Sequence, residues 1–287
     1  MKTRELLLAL LVPLTWALGF TVAKAALDEF PPLLLMSMRF FIAGLILIWF
    51  VPIPRHCLKD LFWISLVGST IQYGLTFTGL SMIDASLGGI IVQLEVPFSV
   101  LLAVIFFRER PGLLRIIGMT ISFIGIVLIA GRPGLSSHLE GILLTASGAL
   151  VWAVGQIMYK RISSQINGLT GIAWIGVIAA PQMLIGSMIF ETGQVDALMN
   201  ASWVGWTSVV YLGLIMTVVG YGIWFTVLSR NPVSHVMPVL LVLPVFTVLF
   251  SVILLGERPS LEVLLGGVTI LAGVSLIVFS KSNTRST

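Results

Sequence analysis

Long apolar runs, each near twenty residues, alternate with short polar turns along the whole chain. A helix that crosses the hydrocarbon core of a bilayer needs about 20 apolar residues. Divided in those lengths, the pattern predicts ten helices, over residues 5–26, 32–51, 60–80, 86–107, 112–131, 140–161, 168–190, 204–228, 233–255 and 261–280. Because the apolar runs do not alternate with a period of two, a transmembrane β-barrel is excluded. The pattern therefore predicts an all-α integral membrane protein.

One polar turn occurs twice. Glu109-Arg110-Pro111 returns 148 positions later as Glu257-Arg258-Pro259, and the same shift aligns Tyr73-Gly74 with Tyr221-Gly222. Near the N-terminus a shift of 136 continues the match, and about 12 extra residues lie between the segments around Trp174 and Trp206 of the second copy. Self-similarity of this kind indicates that the chain contains two copies of one structural plan.

Each copy holds five helices, which is an odd number, so the second copy enters the bilayer from the opposite side. We therefore predict two inverted repeats, residues 1–136 and 137–287, around a central cavity. Many secondary transporters use this arrangement to build a substrate site at the repeat interface, near the membrane midplane.

The composition supports a membrane protein. The chain is 57% hydrophobic and 10% charged, with a mean hydropathy of +1.08, whereas soluble domains carry roughly 25% charged residues. With the N-terminus in the cytoplasm, four of the 16 Lys and Arg residues fall elsewhere (Lys24, Arg39, Arg132 and Arg258), which leaves 12 on the cytoplasmic side. This bias predicts a bacterial inner membrane protein with both termini cytoplasmic. The net charge of +4 is explained by these loops and does not indicate a nucleic-acid partner.

Two charged residues lie well inside predicted helices, Arg39 in the second and Glu95 in the fourth. Charge at such depth is costly and suggests function. Their repeat counterparts, Ile175 and Leu243, are both apolar. The matched depth and the joint absence predict an ion pair. The alternative is that either group binds the charged backbone of a substrate, or that Glu95 takes a proton.

Polar and aromatic residues at helical spacing are candidates for lining a cavity. Ser69, Gln72, Tyr73 and Thr76 are expected on one face of the third helix. Amide and phenol groups inside a bilayer need partners, which either a watery cavity or interhelical hydrogen bonds can supply. The predicted substrate-binding set is Trp16, Gln72, Tyr73, Thr76, Gln93, Glu95, Trp152, Gln156, Tyr221 and Trp224.

Two prolines and two glycine pairs are predicted to shape the helices. Pro97 and Pro244 fall one position apart under the repeat shift, so helices four and nine should bend at matching depth. Such bends suggest gates, although kinks that face lipid are the alternative. Glycines seven apart in helices five and ten should allow close helix packing: Gly118 and Gly125, then Gly266 and Gly273.

The ten helices, the five-plus-five repeat and the Glu-x-Pro-like turns after the fourth and ninth helices resemble the drug/metabolite transporter superfamily, in its EamA-type branch. Within it, the chain is similar to bacterial exporters of aromatic amino acids. The four-helix multidrug relatives carry an essential Glu in their first helix. Here the first helix reads Trp16-Ala17-Leu18-Gly19-Phe20-Thr21, so their proton-coupling mechanism is not expected.

The resemblance implies export of amino acids, aromatic and other large neutral ones, from the cytoplasm by alternating access. The alternative is transport of another small metabolite of the same superfamily, such as a nucleotide sugar, a sugar phosphate or a drug. An enzyme is not expected, because Glu95 is the only deep acid and no His is deep. The sequence has no ATP-binding motif and no metal-ligand spacing. We therefore expect no cofactors. The expected partners are a small-molecule substrate and membrane lipid, and the expected oligomeric state is a monomer.

Overall fold

The computed structural model of the protein describes residues 3–107, 111–130, 138–231 and 236–280. Glu109 and Arg110 of the first repeated turn, Arg132, and the predicted boundary between residues 136 and 137 lie outside these ranges. All regular elements within them are helices. In chain order the long helices are α1 (Thr3–Ala26), α2 (Pro32–Leu47), α3 (58–82), α4 (85–107), α5 (Leu113–Ala130), α6 (Leu139–Lys160), α7 (Gly168–Phe190), α8 (203–230), α9 (237–255) and α10 (Leu261–Phe279).

These ten helices agree with the predicted ones to within a few residues. Nine of them, in the part of the chain that the structure describes, are long and apolar enough to cross a membrane. The remaining one, α3, is also long enough but is more polar, since it contains Ser69, Thr70, Gln72 and Thr76. The all-helical membrane fold predicted from the sequence is thus confirmed.

Four helices change geometry along their length, and they do so in repeat-related pairs. The chain forms a π-helix at Leu66–Ile71 in α3 and at Tyr211–Val219 in α8. It forms a 3-10 helix at Val92–Leu94 in α4 and at Met237–Val242 in α9. The shift of 148 places each interruption of the first half within the corresponding one of the second.

The prolines follow the 3-10 segments directly. The α-helical part of α4 begins at Glu95, and that of α9 begins at Leu243. Pro97 and Pro244 therefore lie in the first turn of the α-helical part, directly after a 3-10 segment of the same helix. Both helices change geometry at matching positions, and a gating role for these prolines stays a prediction.

The helices α5 and α10 approach each other through the predicted glycines. A Cβ atom at Gly118 would lie 2.6 Å from the carbonyl oxygen of Gly273, and one at Gly125 would lie 2.9 Å from that of Gly266. Each glycine of the first repeat thus contacts one of the second. The predicted packing role is confirmed, because only glycine permits backbones to approach so closely.

Other helix contacts also occur in exchanged pairs. Gly68 of α3 packs on Gly155 of α6, and the repeat mates of these two residues, Met216 of α8 and Gly19 of α1, are in contact as well. Likewise α4 packs on α6 while α9 packs on α1. Such an exchange of partners is compatible with two inverted repeats.

The extra residues of the second half contain a short helix that the sequence pattern did not predict. Gln194–Asn200 follows Gly193, whose φ of 81° is left-handed. Three residues connect this helix to α7 and two connect it to α8. The pattern of apolar runs alone predicts only a polar turn between α7 and α8. Its short length and mixed polarity distinguish it from the membrane-spanning helices.

Candidate functional site

Arg39 of α2 lies at the centre of the candidate site. Its side chain is 1% exposed. The Nε–H group donates a hydrogen bond to the Thr217 hydroxyl of α8, at 3.0 Å, and Nη1 lies 3.9 Å from the sulfur of Met36. The guanidinium also lies over the rings of Phe40, at 5.4 Å, and Tyr73, at 5.0 Å. Neutral oxygen, sulfur and aromatic groups thus surround this buried cation.

The predicted ion pair between Arg39 and Glu95 is wrong for this conformation. No ion pair joins the two described side chains, and the Glu95 carboxyl has no hydrogen-bond partner among the described residues. The physical reason is that two residues at equal depth in the membrane can still lie on helices with different neighbours. Here α2 packs on α7 and the π segment of α8, whereas α4 packs on α6 and α9. Glu95 stays partly exposed in the interior of the bundle.

The repeat-related tyrosines lie in the same part of the bundle. Tyr221 is close enough to Tyr73, Arg39 and Glu95 to interact with them electrostatically. The two charged residues therefore lie near the same tyrosine, although they do not contact each other. Trp16 of α1 packs on Tyr221 with ring centroids 5.0 Å apart, and on Trp224 at 5.9 Å. The structure thus brings four of the predicted aromatic residues together.

Three phenylalanines extend this aromatic group. Phe40 packs edge-on against Tyr73 at 5.0 Å, Phe77 stacks on Tyr73 at 5.6 Å, and Phe20 stacks on Phe77 at 6.1 Å. None was in the predicted substrate-binding set. A signal for Phe77 was present, because the repeat shift aligns it with Phe225, which stacks on Tyr221 in the same way.

The π segments position these tyrosines. Each π segment ends within two residues of its tyrosine, at Ile71 before Tyr73 and at Val219 before Tyr221. A π-helical turn adds a residue and leaves carbonyl groups outside the regular α pattern. In α8 these carbonyls have specific partners, since Met216 O accepts from Trp16 Nε1 at 3.2 Å and Leu212 O accepts from the Thr217 hydroxyl at 2.8 Å. The same irregular turn therefore orients both Trp16 and the residue that holds Arg39.

Gln72 and Thr76 face a different helix from Tyr73. Gln72 Nε2 donates to the Thr76 hydroxyl at 3.0 Å, and both residues pack where α3 contacts Gly148 of α6. The expectation of one shared face is therefore wrong, because Tyr73 points toward α2. The Gln72 Oε1 atom is buried without a hydrogen-bond partner.

Three other predicted residues make no described contact with the aromatic group. Gln93 of α4 and Trp152 of α6 are partly exposed, and Gln156 is exposed. Trp152 is the repeat mate of Trp16 but has no aromatic partner in the described ranges. Gln156 follows Gly155, the residue that packs on Gly68. Their role in substrate binding stays a prediction.

Long apolar helices, four of them interrupted in repeat-related pairs around an aromatic site with few charges, define a multi-pass membrane protein. Residues 3–131 and 139–279 match the EamA-like transporter family. The chain belongs to this family.

Similar proteins cover almost the whole chain. A protein of Salmonella typhimurium named "Probable amino-acid metabolite efflux pump" is 30% identical over 97% of this chain and 96% of its own length. A protein of the same name from Escherichia coli is 29% identical over the same shares. An uncharacterized transporter of Bacillus subtilis is 28% identical over 99% of this chain and 93% of its own. One crystal structure covers 100% of both chains with a TM-score of 0.66 at 19% identity, and it supports the fold alone.

Proposed function

We propose that this transporter exports amino acids, aromatic ones among them, from the cytoplasm by alternating access. Two relatives are named as probable amino-acid metabolite efflux pumps. The observation that carries the proposal for this chain is the environment of Arg39.

The buried Arg39 guanidinium lacks an anionic partner among the described residues. A buried charge is costly unless it is paired, and in a membrane this cost is a reason to expect a ligand. The α-carboxylate of an amino acid would supply the missing anion, since guanidinium binds carboxylate with two parallel hydrogen bonds. Thr217 occupies only Nε–H, and its hydroxyl holds the group in place.

Glu95 is the complementary candidate for the ammonium group. It is a deep, partly exposed carboxyl without a hydrogen-bond partner among the described residues, and, like Arg39, it is close enough to Tyr221 to interact with it electrostatically. A zwitterion that lay along Tyr221 would meet Arg39 at one end and Glu95 at the other. Multiply charged anions such as sugar phosphates fit less well. Lys24, the other cation considered for them, binds the carbonyl oxygens of Leu80 and Ser81 at 3.1 and 3.0 Å.

The aromatic group would receive the side chain of the substrate. Rings from α1, α2, α3 and α8 offer apolar faces, and small-molecule sites are mostly apolar with a few placed polar groups. One methylene in such a pocket changes the binding free energy by about 1–3 kcal/mol, so discrimination should be weak. We expect export of Phe, Trp and Tyr, with Met and Thr as poorer substrates. In the cell we place the protein in the inner membrane with both termini in the cytoplasm, as a monomer whose repeats span residues 1–136 and 137–287.

Counterflow in proteoliposomes tests this proposal. Labelled Phe should exchange against internal Phe, while phenylalaninamide, which has no carboxylate, should be a poor substrate. Arg39→Gln should reduce Phe exchange about tenfold or more, because a charged hydrogen bond contributes roughly 1.5–3 kcal/mol, and should leave exchange of the amide almost unchanged. Arg230→Gln, which removes an exposed arginine at the end of α8, is the matched control. Preference of the wild-type protein for a sugar phosphate over Phe would overturn the proposal.

A further inference from the structure

Three carboxylates on one face of the molecule bind the beginnings of helices that belong to the other half of the chain. This face carries the α1–α2, α3–α4, α7–α8 and α9–α10 connections, and we call it the capped face. Glu191 accepts from Leu33 N and Leu34 N at 2.7 and 3.2 Å. Glu257 accepts from Ala85 N and Ser86 N at 2.6 and 3.0 Å. These two residues follow α7 and α9, whereas their partners begin α2 and α4.

The third link runs in the opposite direction. Glu29, in the α1–α2 connection, accepts from the backbone N–H of Ser202 at 2.5 Å and from its hydroxyl at 2.7 Å. Ser202 in turn caps α8 by accepting from Val204 N and Gly205 N. All three links therefore join one half of the chain to the other.

Two of the three helices that receive these carboxylates, α2 and α4, have no side-chain cap of their own. The residue before α2 is Pro31, which has no side-chain acceptor, and Asp84 before α4 makes no capping bond. Exposed N–H groups at a helix start attract an anion, and here the anion is a glutamate from the other half of the chain. Gly256 makes the geometry possible for Glu257, since its φ of 68° ends α9 in a left-handed turn that an L side chain would strain.

Lys24 completes the arrangement around the α3–α4 hairpin. Its ammonium group donates to two carbonyls at the C-terminal end of α3, those of Leu80 and Ser81. A cation at a helix C-terminus and a carboxylate at the next N-terminus each complement the local helix dipole. The turn between α3 and α4 is thus held on both sides. Lys24 of α1 binds the end of α3, and Glu257 of the α9–α10 connection binds the start of α4.

We propose that Glu29, Glu191 and Glu257, together with Lys24, form a releasable seal that closes the capped face, and that transport requires its rupture. This inference rests on the proposed alternating access. The links are suited to release because their polar groups exchange protein partners for water at small net cost. The backbone contacts between α5 and α10 cannot be replaced by contacts with water in this way. The two halves should therefore separate at the seal and stay joined at α5 and α10. On the proposed orientation the capped face is the outer one, and the described conformation is closed to the outside.

Hydrogen exchange of the protein in lipid nanodiscs, without substrate, tests the seal. Loss of a helix cap changes a local equilibrium about fivefold. Glu257→Gln should therefore speed exchange about fivefold at residues 85–88. Because the links act together, it should also speed exchange at residues 33–36 and 202–205, which Glu257 does not touch. Asp196→Asn, which changes an exposed carboxylate of the surface helix, should leave all three segments unchanged.

An increase confined to residues 85–88 would show an ordinary helix cap and would overturn the seal. Glu191→Gln gives an independent test, with residues 33–36 as the local segment and 85–88 as the remote one. This second variant can still test the seal if Glu257→Gln fails to fold. The readout needs no transported substrate, so failure of the amino-acid proposal would leave this result intact.

Discussion

The α5–α10 pair and the site around Arg39 use the two repeats in opposite ways. In the pair, each repeat contributes the same glycines, and every contact has a counterpart. Around Arg39, the tyrosines are repeat mates, but both charges come from the first repeat, since Ile175 and Leu243 stand at the equivalent positions. Symmetry is kept where backbones must pack closely and is lost where a ligand with two different ends must bind. An asymmetric substrate such as a zwitterion needs an asymmetric site.

The largest effect is expected from the symmetric pair. In Gly273→Ala the new methyl group would collide with the carbonyl of Gly118 and the hydroxyl of Ser122, so we expect a loss of about 3 kcal/mol or more. Thermal melting of the purified protein measures this. Gly222→Ala is the control, because its Cβ would meet nothing within 4 Å, and it should be neutral or slightly stabilising. Equal melting temperatures for the two variants would refute the packing role.

The charges should behave as independent residues. Arg39→Leu and Glu95→Leu should each reduce Phe counterflow about tenfold, and neither should lower the melting temperature much, because each removes a charged group inside the bundle that has no counterion. The stability effects should add to within about 0.5 kcal/mol in the double variant. A double variant distinctly more stable than both single ones would instead support the ion pair that the sequence suggested.

A smaller difference should separate the two tyrosines. Tyr73 contacts Arg39 as well as Phe40 and Phe77, whereas Tyr221 packs on Trp16 and Phe225. Tyr73→Ala should therefore reduce aromatic amino-acid transport more than Tyr221→Ala, by about fivefold, which corresponds to a cation–π contact of roughly 1 kcal/mol. Initial rates at equal protein content decide this. Normal transport by both variants would place the substrate elsewhere.

The smallest effect concerns Asp84, which stands on the capped face where the second repeat has Pro232. Burial, and then the nearby Glu257, raise the pKa of Asp84 above its ordinary 3.8. The folded protein thus binds this proton more tightly than the unfolded chain, so the carboxylate destabilises the fold above the raised pKa, and this penalty disappears as the pH falls toward 3.8. Asp84→Asn should melt slightly higher than wild type at neutral pH and equally at acidic pH. A gap that widens toward acid would contradict this sign.

The helices were predictable because proline, glycine or charged residues mark most turns; α7 begins and ends at the predicted residues. The site was predictable in part. Tyr73 and Tyr221 were found through the repeat, but Phe40 was hidden among other apolar residues of α2. The direction of Arg39 was not predictable, since sequence gives depth along a helix and not rotation about its axis. The π segments alter that rotation without a sequence signal of their own. The three sealing glutamates resembled ordinary turn residues, because their partners lie 157–173 positions away.

That separation has a consequence for how the protein is made. When the ribosome has delivered only the first half, the amide groups at the starts of α2 and α4 have no capping carboxylate, since Glu191 and Glu257 are not yet synthesised. Glu29 likewise has no partner until Ser202 has been synthesised. The capped face can therefore be completed only after the second half of the chain has been synthesised.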